Sequence, residues 1–173
     1  PNGLNLDTGL VSTYAGTQTA SILDDPRETA QFYNPKNIAI DSNGNIFVFD
    51  DTVIRVITSG GMVITLAGEP YSFGFSDGTG TAARFSSFAG LPFREDYGLT
   101  VDISGNLFVA DTGNHAIRKV RFPNGLIQNG GVVTTVAGNG YPNLIDGPGV
   151  RAHFAFPTSV AVDRLGNIFV TDT

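Results

Sequence analysis

The sequence has no cysteine, no tryptophan and a single methionine. Without cysteine, no disulfide supports the fold and no thiolate serves as nucleophile or metal ligand. Lysine occurs only at Lys36 and Lys119, and 10 basic residues against 16 acidic ones leave a net charge of −6. Binding to a phosphate backbone depends on clustered Lys and Arg, so this balance argues against a nucleic-acid partner. No apolar run approaches the length of a membrane-spanning helix, and no segment reads as a secretory leader. There is no Asn-x-Ser/Thr acceptor for N-glycosylation. Helical periodicity is missing along the whole chain.

What is present is repetition. Asp41-Ser-Asn-Gly-Asn-Ile-Phe-Val-Phe-Asp50 returns 61 residues later as Asp102-Ile-Ser-Gly-Asn-Leu-Phe-Val-Ala-Asp111. A further 61 residues on it returns as Asp163-Arg-Leu-Gly-Asn-Ile-Phe-Val-Thr-Asp172. A second block, Val-x-Thr-x-Ala-Gly, occupies 11–16, 63–68 and 133–138, with spacings of 52 and 70 because the middle copy carries compensating insertions. Self-similarity at such a period indicates a repeat architecture, and most noticeable residues then answer to the repeat.

Period-two runs bounded by Gly, Asn and Asp predict strands. They fall near 37–41, 45–50, 53–58 and 62–67, near 98–102, 106–111, 115–122 and 131–137, and near 159–163 and 167–172. Gly44, Gly105 and Gly166 occupy the hairpin position that requires positive φ. Asp41, Asp102 and Asp163 are placed to accept bonds from the turn amides, which is a bland reading of an acidic series that otherwise suggests calcium. Asp50, Asp111 and Asp172, ending the second strand, are expected to cap the turn that follows. Four short antiparallel strands per repeat are the unit of a β-propeller blade. The excess over a blade of roughly 40–50 residues lies mostly in the link between successive blades. The domain division expected is a fourth strand of one blade at 10–16, a blade at 37–67, a blade at 98–137 and a partial blade at 159–173. That leaves about three blades of an expected six-bladed, or assembled, propeller, with open edges for a protein partner or further copies of the chain to complete.

Val133-Thr-Thr-Val-Ala-Gly-Asn-Gly, Asp146-Gly-x-Gly, Ala152-His-Phe154, Val160-Ala-Val-Asp163 and Gly166-Asn-Ile-Phe-Val-Thr-Asp172 together resemble the NHL-repeat family. Asp111-Thr-Gly-Asn-His-Ala-Ile-Arg-Lys-Val120 resembles the segment that gives the family its name, whereas copy one has Asp51-Thr-Val-Ile-Arg-Val56 and lacks Gly-Asn-His. The resemblance implies a structural role for His115. Recurrence at matching positions points to a plug between blades for Phe32, Phe85 and Phe154 and to an inter-blade hydrogen bond for Arg55 and Arg118. The resemblance also implies an extracellular or cell-surface setting. Enzymes on related propellers hold a metal in the central channel. The first strands here offer Asn37, Thr100 and Ser159, with no carboxylate or histidine ahead of the turn aspartate. Neither a nucleophile–base pair nor a ligand spacing is evident.

The resulting expectation is a non-catalytic binding or structural module with no cofactor and no bound metal. The rival is a propeller hydrolase or lyase whose metal site lies on blades outside this chain. Strand alternation puts the long links 17–34, 69–97 and 139–157 at one end with the Asp111–Asn114 turn. Loops held by rigid strands are the usual binding surface. The candidate partner-binding residues are therefore Tyr71, Phe73, Phe75, Phe93, Arg94, Glu95, Asp96 and Tyr141.

Overall fold

A computed structural model describes residues 9–86, 97–125, 127 and 130–173. Phe93, Arg94, Glu95 and Asp96 lie outside them. The first repeat forms a four-stranded antiparallel sheet in sequential order from β1 (Pro35–Ile40), β2 (Ile46–Asp50), β3 (Val53–Ile57) and β4 (Val63–Ala67). In the second, a short β5 (Gly78–Thr79) precedes β6 (Leu99–Val101), β7 (Leu107–Asp111), β8 (Ala116–Arg121) and β9 (Val132–Gly138). Here the sheet runs β5-β9-β8-β7-β6, so β5 is an outer fifth strand. The third repeat contributes the antiparallel pair β10 (Ser159–Val162) and β11 (Ile168–Thr171). Among the described residues the only helical elements are single 3-10 turns.

The expected strand at 10–16 is not formed. Leu10 makes an isolated bridge and residues 11–16 carry no ladder, with Leu10 and Val11 exposed. A fourth strand needs a third strand beside it, and no described segment provides one.

The hairpins explain their own sequences. Asp41 Oδ1 accepts the Asn43 and Asn45 amides, both at 2.9 Å, and Oδ2 accepts Asn45 Nδ2 at 2.8 Å. Asp102 holds Ser104 and Asn106 in the same way, and Asp163 holds Leu165 and Asn167. With Gly44 at φ 79°, a type I turn closes through a left-handed residue, which glycine adopts without a Cβ penalty. These carboxylates work as turn templates, and the three-hydrogen-bond pattern accounts for the Asp-x-x-Gly-Asn signature.

The length of each link has a physical reason. The first link runs along the outer edge of β4: Val63 N donates to Asp25 O at 3.0 Å and Arg27 N to Gly61 O at 2.8 Å. Asp24 accepts both the amide and the hydroxyl of Thr65, at 2.7 and 2.9 Å. The second link repeats this through β5 on β9 and through Asp77, which accepts the amide and hydroxyl of Thr135 at 3.0 and 2.9 Å. An outer strand with unpaired amides invites aggregation, and the detour of the link covers it.

The sheets stack face to face. Phe47, Phe49, Ile54, Val56 and Leu66 of the first sheet meet Leu99, Leu107, Val109, Val120 and Val133 of the second in one buried cluster. Phe85 sits in this seam, 5.8 Å from Phe49 edge-on, as a plug between sheets. The other side of the second sheet, with Phe108, Ala110 and Ile117, packs on Val160, Val162 and Val170. Gly98 permits the closest approach. A Cβ there would lie 2.5 Å from the Ser159 Cα, so the inner strands β6 and β10 touch backbone to backbone.

Candidate functional site

Hydrogen bonds place the links and the second-to-third-strand turns at one end, as strand alternation requires. Asn114 Nδ2 donates to Gly74 O at 2.7 Å, Thr112 Oγ1 to Pro157 O at 2.7 Å, and Phe156 N to His115 Nδ1 at 3.1 Å. In the first repeat, Thr52 Oγ1 donates to Glu69 O and accepts from Tyr71 N. The Gly-Asn-His insertion changes this end locally. Asp50 and Val53 flank a two-residue turn in the first sheet, whereas Asp111 and Ala116 flank a four-residue one in the second. His115, left-handed at φ 50°, thereby reaches the next link. Burial lowers its pKa, and the Asp172 charge opposes that shift. Its ring nitrogen is an acceptor that joins the second repeat to the third.

The candidate aromatics share this end but form no single pocket. Tyr71 is anchored: its hydroxyl accepts the Ile22 amide at 3.0 Å, and its ring meets Tyr33 edge-on at 5.2 Å. Phe75 covers the Arg118 guanidinium, 5.1 Å from ring centre to Cζ. Half of each of these residues is thus spent on holding links in place. Tyr141, 72% exposed, is the freest of the described members; Phe73 is 52% exposed on a backbone bridged to Phe85.

Beneath this surface lies an arrangement whose role the sequence reading missed. Arg55 and Arg118 are wholly buried. Arg55 Nη1 donates to Asp50 Oδ2 at 3.1 Å and Gln31 O at 2.5 Å, and Nη2 donates to Asp24 Oδ1 at 2.8 Å and Leu23 O at 2.7 Å. Arg118 makes the corresponding bonds to Asp111 Oδ2, Arg84 O, Asp77 Oδ1 and Ser76 O, at 2.7 to 3.0 Å. An aromatic ring flanks each guanidinium: Phe32 at 4.6 Å from Arg55, Phe85 at 5.3 Å from Arg118. A planar, five-donor cation suits such a fork of two carboxylates and two carbonyls.

Two expectations are corrected by this clamp. The arginines do not bond between sheets. Each ties its own sheet to the link that enters it. Nor do Asp50, Asp111 and Asp172 simply cap the following turn. Asp50 Oδ1 accepts the Tyr33 and Asn34 amides, Asp111 Oδ1 the Ser86 amide and Asp172 Oδ1 the Ala155 amide, all in the preceding link. Asp111 also accepts Asn114 Nδ2, so it does brace its turn from within. Burial pushes its carboxyl upward, against the pull of Arg118 and the hydrogen bonds. A register shift between Ile54 and Arg55, matched between Ile117 and Arg118, marks a bulge beside each arginine. Bulges of this kind re-aim a side chain. The recurrence of Asp eight residues before Phe, with Arg on the third strand and Thr on the fourth, was the available signal.

Among the described residues, no three His, Cys, Asp or Glu side chains gather as metal ligands, and no helix is long and apolar enough to cross a membrane.

This geometry defines an all-β protein of antiparallel sheets, of four, five and two strands among the described residues, stacked in series and clamped to their links. Residues 24–76, which hold the first repeat, match the family model described as the Teneurin NHL domain. The chain is 36% identical over 84 residues to a probable peptidyl-α-hydroxyglycine α-amidating lyase of Caenorhabditis elegans, covering 49% of this chain and 21% of that protein. Among solved structures, it is similar to a Bacteroides thetaiotaomicron protein of unknown function, with 25% identity, a TM-score of 0.61, and coverage of 75% of this chain and 30% of that one. An auxiliary nutrient binding protein from Bacteroides ovatus shares the fold at 20% identity and TM-score 0.59, over 88% of this chain and 41% of that one. The chain therefore spans about a fifth of its curated relative and under half of these structures.

Proposed function

We propose that the chain is a non-catalytic binding or assembly module within a closed β-propeller of about six blades. The observation that carries this reading is the division of labour at the link end. The titratable groups that recur there are consumed in structural clamps, while Phe73 and Tyr141 remain exposed on links braced by the strands. Exposed aromatics on a rigid base suit a protein partner. Propeller closure is supported by the two end faces. Ile38 and Ile40 are about 60% exposed, where Leu99, their counterpart region in the second sheet, is buried. Phe169 is 60% exposed, where Phe47 and Phe108 are 1% and 5%. The first end face holds an apolar hollow of about 770 Å³ lined by Phe32, Ile38, Ile40, Ile46, Val48 and Ile57. Further sheets of the same kind, from the same polypeptide or from another copy, fit both faces. An extracellular or cell-surface setting belongs to the same proposal, supported by the scarcity of lysine.

The partial identity to the lyase favours a second reading, in which a catalytic metal site lies on repeats beyond these three. The two readings separate in one experiment. Proteins cross-linked to the native chain are identified, and the purified chain and its full-length parent are assayed on a peptidyl-α-hydroxyglycine. The binding reading expects a specific partner lost in Phe73→Ser/Tyr141→Ser, an unchanged melting temperature, and no turnover. Turnover by the full-length protein establishes the second reading. A large fall in melting temperature with binding intact shows that these aromatics are structural.

A further inference from the structure

An asparagine followed by glycine can react with its own backbone, because glycine puts no Cβ in the path between its nitrogen and the neighbouring side chain. The sequence holds this pair at Asn2, Asn43, Asn124, Asn129 and Asn139. Attack requires the glycine amide to give up its proton, and an amide held in a backbone hydrogen bond resists that loss. Gly44 N donates to Asp41 O at 3.2 Å, Gly125 N to Phe122 O at 3.1 Å and Gly130 N to Ile127 O at 3.3 Å. The Gly140 amide has no acceptor among the described residues.

The Asn139 side chain is held beside that free nitrogen. Its Oδ1 accepts the Tyr141 amide at 3.2 Å, and the ring this bond closes contains both Cγ and the Gly140 nitrogen. With Oδ1 so engaged, Nδ2 donates to His153 Nε2 at 3.0 Å. The carboxamide is thus fixed at both ends. A Cβ on Gly140 would lie 3.2 Å from the Phe75 ring, so the glycine is braced as well. The contact belongs to the link and needs no adjoining strand. Glu69 and Asn139 each follow an Ala-Gly pair, and Arg84 and His153 each precede the recurring phenylalanine. In the second link Arg84 and Glu69 form an ion pair at the corresponding place.

We propose that Asn139 is a self-modification site, at which the folded chain converts asparagine to aspartate and isoaspartate. The Gly140 nitrogen loses its proton to water and attacks Asn139 Cγ. Charge developing on Oδ1 is met by the Tyr141 N–H, as backbone amides meet an oxyanion. Nδ2 takes up a proton and leaves as ammonia, so the Cγ–Nδ2 bond breaks after the bond from Cγ to the Gly140 nitrogen has formed. The product is a succinimide. Water opens it at Cγ to give aspartate, or at the Asn139 main-chain carbonyl to give isoaspartate. One water is consumed and one ammonia released, with no change of oxidation state. The new carboxylate stands beside His153, as Glu69 stands beside Arg84. The isoaspartate form also lengthens the main chain by a methylene two residues before Tyr141, the freest aromatic at the link end, and so re-aims it. The step is independent of what that end binds.

The test incubates the 173-residue chain at neutral pH in buffer and in urea. Peptide mapping follows each site, with fragmentation that separates aspartate from isoaspartate. In buffer, Asn139 is expected to convert about fivefold or more faster than Asn43 and Asn124, the factor set by breaking one backbone hydrogen bond. In urea the three sites are expected to convert at similar rates, because the turns that hold the other two amides are gone. Equal rates at the three sites in buffer overturn the proposal. So does a preference for Asn139 that survives in urea, since local sequence then explains it.

Discussion

Removing the Arg118 guanidinium isolates the energetics of the clamp. Arg118→Met keeps much of the aliphatic stem and its packing, and deletes donors to Asp111, Asp77 and two carbonyls. Asp111 is then a buried carboxylate whose remaining donors, among the described residues, are the Ser86 amide and Asn114 Nδ2. Deleting one partner of a buried ion pair costs about 3–5 kcal/mol, because the survivor keeps its desolvation penalty. Adding Asp111→Leu removes that stranded charge. A buried pair exchanged for apolar residues is often near neutral. Here the Ser86 amide and Asn114 lose their acceptor, which costs about 1–3 kcal/mol. The double variant is therefore expected to be more stable than Arg118→Met alone. Asp77→Asn, whose side chain is half-exposed, changes stability by under about 1 kcal/mol.

The assay is urea denaturation with residue-resolved hydrogen exchange. Stability in repeat proteins is the sum of local terms and neighbour interfaces, so the loss falls on the second sheet and its seams. The expected order is Asp77→Asn, then the double variant, then Arg118→Met as the least stable. A loss below about 1 kcal/mol for Arg118→Met, or a double variant no better than the single one, would refute the account of a desolvated, mutually dependent pair.

Two further outcomes follow from the seams. Gly98→Ala places a Cβ against the Ser159 backbone, which no side-chain rotation relieves. It should separate β6 from β10 and expose Phe108 and Val160, seen as faster exchange in β10–β11 with the first sheet unchanged; unchanged protection there contradicts the contact. His115 has a folded pKa below its ordinary value of roughly 6.5, chiefly through burial. The unfolded chain therefore takes up the proton first. Stability is full above about pH 6.5, falls as the pH drops through that value, and levels off below the folded pKa. Protonation at Nδ1 also ends its acceptance of the Phe156 amide. His115→Asn, which tolerates the left-handed backbone, should flatten the denaturation midpoint between pH 7.5 and 5.5; an identical slope in both proteins excludes the histidine as its source.

The antiparallel sheets were legible in the sequence because their determinants are local. Short apolar runs bounded by turn residues mark β2 and β7 as strands buried on both faces, and Asp-x-x-Gly-Asn fixes the hairpin within five residues. Each copy votes for the same answer. The strand expected at 10–16 failed for the converse reason. Its Val-x-Thr-x-Ala-Gly pattern records what a fourth strand needs on its own side and is silent on whether a neighbour is available. A strand is a relation between segments, and a motif states only one side of it.

The clamp was hidden for a related reason. The link-side acceptors of its arginines lie 24 to 42 residues away, on a link whose path no alternation encodes. The residues were noticed as recurring landmarks, yet recurrence alone does not say which of them meet. The same limit divides the candidate surface. Tyr71 and Tyr141 look alike in sequence, but the hydroxyl of one receives a backbone amide across 49 residues while the other stands clear on its link. Exposure on this scaffold is set by where the links travel before they reach the outer strand of the next sheet. Near Asp24 and Asp77 a link is bound to β4 or β9 and has little freedom. Phe73 and Tyr141 precede Asp77 and Asp146 on their links, ahead of that attachment, and it is there that recognition has room to differ from one repeat to the next.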